Sequence, residues 1–133
     1  MQEKSKILAV DDNSINLAII EELLESQYNL MTVSTGIDAL KVAHEFRPDL
    51  ILLDIMLHGM NGYEVCQEIR KSSSIMHTKI IIVSAKAMTS DRLKGYQIGA
   101  DDYLTKPFDG EELLAKVCTH LPPKPIEAIS ENE

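Results

Sequence analysis

Four large apolar residues in succession, Leu50-Ile51-Leu52-Leu53, follow Pro48-Asp49 and end in a carboxylate, Asp54. A run with no polar member has no face to offer water, so it reads as a strand buried on both sides, as at the centre of a parallel sheet. That reading constrains the whole chain, because both faces of such a sheet must be covered by helices. In open α/β sheets, ligands bind in the crevice beyond the carboxyl ends of the strands. Asp54 therefore stands where chemistry is expected, although an Asp closing a strand also starts turns.

The remaining segments supply the strands and helices this requires. Ile7-Leu8-Ala9-Val10 reads as a first strand, closed by Asp11-Asp12-Asn13. A helix over 14–26 follows, capped by Asn13 or Ser14, with Leu17, Ile20 and Leu24 on one face. Asn29 to Val33 is a second strand, and Thr35-Gly36 opens a helix to Phe46 whose apolar positions are Ile37, Ala39, Leu40, Val42, Ala43 and Phe46. Pro48 breaks that helix before the central strand. After a loop over 55–61, Asn61 with Glu64 fits a capping pair for a helix to Arg70. Lys79 to Val83 is a fourth strand ending at Ser84-Ala85, Thr89 to Ile98 a weaker helix stopped by Gly99, and Asp102 to Thr105 a fifth strand before Lys106-Pro107. Asp109 with Glu112 caps the last helix, whose Leu113, Leu114, Val117 and Leu121 form its buried stripe. The alternation predicts one α/β domain over 5–121, with parallel strands joined by right-handed crossovers. The Pro-rich, acidic stretch over 122–133 reads as a disordered tail or a linker.

A net charge of -8 argues against direct binding of nucleic acid or an anionic membrane surface. Cys66 and Cys118 fall in predicted helices, with no CxxC and no zinc-type spacing, and read as reduced structural residues. Met1 to Lys6 runs straight into a strand-length apolar segment, so neither a signal peptide nor a membrane span is expected, and the location expected is cytoplasmic.

Parallel strands point their carboxyl ends to one edge, which collects Asp11, Asp12, Asp54, Ser84 and Lys106 from four strands. Crowded carboxylates repel one another, and a hard divalent cation such as Mg²⁺ relieves this while leaving room for waters and a phosphoryl oxygen. Lys106 adds a compact positive charge and Ser84 a hydroxyl, both suited to holding a phosphoryl group. Each residue alone has an ordinary explanation as a capping group, a loop serine or an exposed lysine. Coincidence at four strand ends on one edge does not.

These residues resemble the receiver domains of two-component response regulators. The resemblance covers Lys6 to Leu121 and rests on Val10-Asp11-Asp12-Asn13, Leu53-Asp54-Ile55-Met56, Gly59-Met60-Asn61-Gly62-Tyr63-Glu64, Val83-Ser84-Ala85, Gly99-Ala100-Asp101-Asp102-Tyr103 and Lys106-Pro107-Phe108 in this order. It implies a flavodoxin-like, doubly wound sheet of five parallel strands in the order 2-1-3-4-5 with five helices, an order spacing does not reveal. It further implies Asp54 as acceptor of a phosphoryl group from a phosphohistidine or an acyl phosphate. Mg²⁺ would be held by Asp12, Asp54 and the carbonyl of Met56, with Asp11 acting through water. Lys106 and Ser84 would hold the transferred group, Tyr103 would be the aromatic switch, and Pro107 a cis-proline. The implied donor is a histidine kinase or a histidine phosphotransfer protein. The implied output is a downstream protein or a second copy, meeting the face of the fourth helix, fifth strand and fifth helix, where Met88 and Tyr96 are candidates for exposure. On this reading the chain is not an enzyme with a separate substrate but promotes its own phosphorylation and dephosphorylation. His58 stands where such domains very often have Pro and is expected as a solvated loop residue. Met56 and Lys86 occupy variable positions beside the site. Asn16-Leu17 after the acidic run is similar to receivers of hybrid kinases, and stand-alone regulators are equally compatible.

Three rival readings fit these residues less well. An aspartate-nucleophile phosphatase needs an acid two residues after its nucleophile, and Asn13 cannot serve there. A flavin carrier of this topology needs a phosphate loop after the first strand, where Asp11-Asp12 would repel it. A receiver-like scaffold that is never phosphorylated has no need of costly clustered charge.

Overall fold

A computed structural model of the chain describes residues 4–86 and 88–121. The stretch expected as a tail or linker, 122–133, lies outside the described residues. Five strands and five helices alternate as β1 (Lys6–Val10), α1 (Ser14–Leu24), β2 (Asn29–Val33), α2 (Gly36–Phe46), β3 (Leu50–Leu53), α3 (Gly62–Lys71), β4 (Lys79–Ser84), α4 (Thr89–Gln97), β5 (Asp102–Thr105) and α5 (Gly110–His120). The strands form one parallel sheet in the order β2-β1-β3-β4-β5. β3 is the central strand, with all four residues buried. Its alternation divides the core: Ile51 and Leu53 join the layer with Ala39, Ala43, Val65, Cys66 and Ile69 of α2 and α3. Leu50 and Leu52 join the opposite layer with Ile20 and Leu24 of α1 and Leu113 and Val117 of α5. A strand buried on both faces thus explains why its sequence carries no polar alternation.

The helix ends follow local chemistry. Asn13, rather than Ser14, caps α1, its side chain accepting from the N–H groups of Ile15 and Asn16 at 2.9 and 3.1 Å. Asn61 and Glu64 form the reciprocal box expected of them at the start of α3. Asp109 caps α5 alone, accepting from the Glu111 N–H at 3.0 Å, and no reciprocal bond from Glu112 forms among the described residues. Gly99, at φ +111°, ends the α4 segment as expected. Three expectations about burial are corrected. Ile37 is 69% exposed, and Ala39 and Ala43 carry the buried stripe of α2 instead. Leu114 and Leu121 lie at the margin of the α5 stripe, only partly buried. Cys66 is buried, but Cys118 is exposed on α5 and has no packing role in the core. Among the described residues no helix is long and apolar enough to cross a membrane.

Candidate functional site

The carboxyl edge of the sheet gathers the acidic residues the sequence pointed to. Asp11 follows β1 directly and is 2% exposed, and Asp54 follows β3 at 6%. The peptide of Asp54 still belongs to the ladder, its N–H donating to the Val10 carbonyl at 3.0 Å, so the two strand ends are held side by side. Each buried carboxylate is then turned by its own loop. The Asn13 N–H donates to Asp11 Oδ1 and the Met56 N–H to Asp54 Oδ1, both at 2.9 Å. These two-residue turns are what short acidic side chains favour. Asp12 completes the group, and ligand oxygens of Asp11, Asp12 and Asp54 lie within 4.8 Å of one another.

Lys106 enters from the end of β5. Its peptide bond to Pro107 is cis, as the resemblance implied, and its N–H donates to the Ser84 carbonyl at 2.8 Å. The ammonium donates to Asp11 Oδ2 at 2.6 Å and to Asp54 Oδ2 at 2.9 Å. Burial by itself would lower the Lys106 pKa, but the hydrogen bonds and charges of Asp11 and Asp54 outweigh it and hold it above the ordinary lysine value. Against three carboxylates this is one positive charge, leaving a deficit of two when His58 is neutral. All-oxygen donors, two of them buried, with that deficit fit a hard divalent ion such as Mg²⁺.

The loop over 55–61 forms the other wall. It folds back closely enough that a Cβ at Gly62 would lie 2.4 Å from the Asp54 carbonyl oxygen, so only glycine fits there. Met56 is on this loop with its side chain 52% exposed. The His58 side chain is 97% exposed, as a solvated loop residue should be, yet its Nδ1 lies 2.8 Å from Asp12 Oδ2. That contact was not legible in the sequence, since 46 residues separate the pair.

Ser84 is the last residue of β4 and fully buried. Its Oγ accepts from the Lys86 N–H at 3.2 Å, so here it is engaged with the following loop and not with the carboxylates. Tyr103 is 5% exposed and donates its hydroxyl to the Lys86 carbonyl at 2.7 Å. Burial pushes that hydroxyl up to about 12, with Tyr63 and Asp91 adding to the effect and Ser84 and Arg92 opposing it. Ser84 and Tyr103 thus bind the N–H and the carbonyl of one residue. Of the two readings open for Met88 and Tyr96, exposure and core packing, the structure takes the first, at 72% and 46% exposed on the α4 side, and Leu93 joins them at 54%. A depression of about 550 Å³ lies beside the loop after Asp54, among Met56, His58, Asn61, Tyr63, Lys86 and Lys94. A larger depression, about 690 Å³, lies at the opposite edge among Lys6, Glu21, Glu25 and Tyr28, away from every group above.

The profile of the response regulator receiver domain matches residues 7–118. The chain belongs to this family. As a receiver of two-component signalling it is similar to the response regulator ArlR of Staphylococcus aureus, 45% identical over 114 residues, which cover 85% of this chain and 51% of that protein. The probable transcriptional regulator ycf27 of Guillardia theta is 42% identical over 118 residues, 88% of this chain and 45% of that one. The receiver therefore spans about half the length of the curated relatives it matches. Among solved structures, the BeF3-activated DrrB receiver domain superposes with a TM-score of 0.82 at 36% identity, covering 89% of this chain and 97% of that one. The receiver domain of the sensor histidine kinase PA1611 from Pseudomonas aeruginosa, solved with a magnesium ion in its active-site cleft, gives a TM-score of 0.80 at 37% identity over 87% of this chain and 96% of its own.

Proposed function

We propose that Asp54 of this receiver accepts a phosphoryl group from a phosphohistidine on a histidine kinase or a histidine phosphotransfer protein, or from a small acyl phosphate. The observation that carries this is the Lys106 ammonium shared between Asp11 and Asp54 in a cluster of three carboxylates. One Asp54 oxygen attacks phosphorus, the bond from phosphorus to the donor nitrogen or acyl oxygen breaks, and its electron pair leaves with the donor. Asp54 is held for this by the Met56 N–H, which leaves its Oδ2 side facing Lys106. Lys106 follows the charge from the carboxylate to the transferred group, and Ser84 turns its hydroxyl to the same group. Asp12, Asp54 and the Met56 carbonyl would hold Mg²⁺, with Asp11 acting through water; the ion supplies charge neutralisation where phosphoryl transfer needs it most. A depression of about 300 Å³ beside Lys106, lined by Asn16, Ile19, Ala85, Pro107 and Phe108, leaves room for the donor to approach.

The new charge would be read through Ser84 and Tyr103, which share Lys86 as partner, and passed to the α4, β5 and α5 face, where a downstream protein or a second copy binds. The domain over 5–121 acts in the cytoplasm and promotes its own phosphorylation and hydrolysis. Intact mass after incubation with acetyl phosphate tests this, with Mg²⁺ or with chelator, for wild type and Asp54→Asn. Gain of one phosphoryl group only in wild type with Mg²⁺ is the expected result. No gain with either acetyl phosphate or a phosphohistidine donor would instead favour an unphosphorylated scaffold.

A further inference from the structure

Of the nine residues of α4 only Gly95 is buried. A helix that offers the core a single glycine gains little from apolar burial and must be held by other means. Its carboxyl end is well secured. The Ile98 carbonyl accepts from Cys66 Sγ at 3.6 Å, and the Gly99 carbonyl accepts from Arg70 Nε at 2.9 Å, with Arg70 tied in turn to Asp101 and Thr78. The rest of the helix leans on side chains. Tyr63 donates its hydroxyl to the Asp91 carbonyl at 3.5 Å, Lys94 of the last turn sits 4.4 Å from the centre of the Tyr63 ring, and Arg92 reaches across to Thr105 of β5, its Nη2 donating to Oγ1 at 3.2 Å. In making that bond the Arg92 guanidinium passes over the Tyr103 ring, 6.0 Å from its centre. Strand alternation makes this possible, because Tyr103 and Thr105 share the face on which α4 lies. Under the ring's other edge is Gly95, where an added Cβ would meet Tyr103 Cδ2 at 3.3 Å and Ile82 Cδ1 at 2.9 Å.

We propose that Arg92 and Gly95 form a latch that holds Tyr103 inward: the glycine makes the hollow the ring occupies, and the guanidinium bridged to Thr105 closes over it. Arg92 is a positioning residue, acting on the site only through Tyr103. The significance of the latch for signalling rests on the Tyr103 readout proposed above, but its existence does not depend on phosphorylation. The latch biases the ring before any phosphoryl group arrives and pins the middle of α4 to β5. An exposed cation over a ring shifts such an equilibrium about two- to five-fold.

The test is ¹⁹F NMR of the full chain carrying 3-fluorotyrosine, recorded with no phosphodonor. Four tyrosines give four signals, and Tyr103→Phe identifies the one of interest. In Arg92→Ala the Tyr103 signal is expected to move toward that of exposed Tyr96 and to gain a solvent isotope shift, while buried Tyr28 stays in place. Thr105→Val, which removes the acceptor, reproduces the change, and Arg92→Lys, which keeps the cation, recovers part of it. Gly95→Ala displaces the same signal further. A Tyr103 signal unmoved in both Arg92→Ala and Thr105→Val overturns the latch, as does a matching shift of Tyr28, which would report general loosening. Failure of Asp54 to gain mass, with the Tyr103 shift still present, would count against the proposed phosphorylation and leave the latch standing.

Discussion

Lys106 donates to two buried carboxylates at once, so replacing it leaves Asp11 and Asp54 facing each other with no counter-charge. Removing one partner from a buried ionic group costs about 3 kcal/mol or more, because the remaining charge stays desolvated. Lys106→Met is therefore expected to lower stability in urea by about 3 kcal/mol at neutral pH, with much of the loss recovered in Mg²⁺ or in acid. The wild-type lysine contribution also falls with rising pH, but in a higher window. A lysine whose folded pKa is raised contributes stability that is fully present below the ordinary value of about 10.4 and lost as pH rises through the folded value. Alkaline denaturation profiles of wild type and Lys106→Met should converge above that range.

At the scale of elements, α3 decides how the loop after Asp54 returns to the sheet. Its capping box ties Asn61 and Glu64 to each other's N–H groups at 3.0 Å, and Gly62 lies against the Asp54 peptide. Asn61→Ala is expected to cost about 1 kcal/mol in denaturant melts and to slow phosphoryl uptake as the loop loosens. Helix α5 is fastened to β5 by Asp102, which accepts from Lys116 Nζ at 3.1 Å and pairs with His120 Nε2 at 2.9 Å. Burial alone would raise the Asp102 pKa, but the bonds from His120, the Tyr103 N–H and Lys116 leave it lowered. The stability it contributes is thus present above about pH 3.9 and lost as pH falls through the lowered folded value. Asp102→Asn should cost about 1–2 kcal/mol at pH 7, a difference from wild type that disappears in strong acid when guanidinium melts are compared across pH.

For the whole molecule, a net charge of -8 is concentrated in part at one sheet edge, where three carboxylates share one lysine. Divalent ions that bind this edge in the folded state only will stabilise the receiver by mass action. The gain is about 1.4 kcal/mol once free ion exceeds its dissociation constant tenfold. Thermal melts should accordingly rise with Mg²⁺, and Asp12→Asn, which keeps the Lys106 pairs, should weaken that rise. Equal Mg²⁺ responses in the two proteins would remove Asp12 from the ligand set.

Strand–helix alternation, the parallel sheet and the edge on which Asp11, Asp12, Asp54, Ser84 and Lys106 collect were all legible in the residues, because burial on two faces and helical spacing leave a direct imprint on local sequence. The lateral order of the strands was not. Neighbours in a parallel sheet are joined by crossovers, and spacing is blind to which side each one takes, so the order came from the resemblance. Pairings across the edge belong to tertiary structure alone. Lys106 meets Asp11 across 95 residues, and His58 meets Asp12 across 46. Tyr103 and Ser84 converge on the backbone of Lys86, and Arg92 reaches Thr105, through contacts between elements that no periodicity encodes. Local sequence determined which face or edge each residue occupies; which partner it finds there was decided by strand order, register and the loops that fold back over the site.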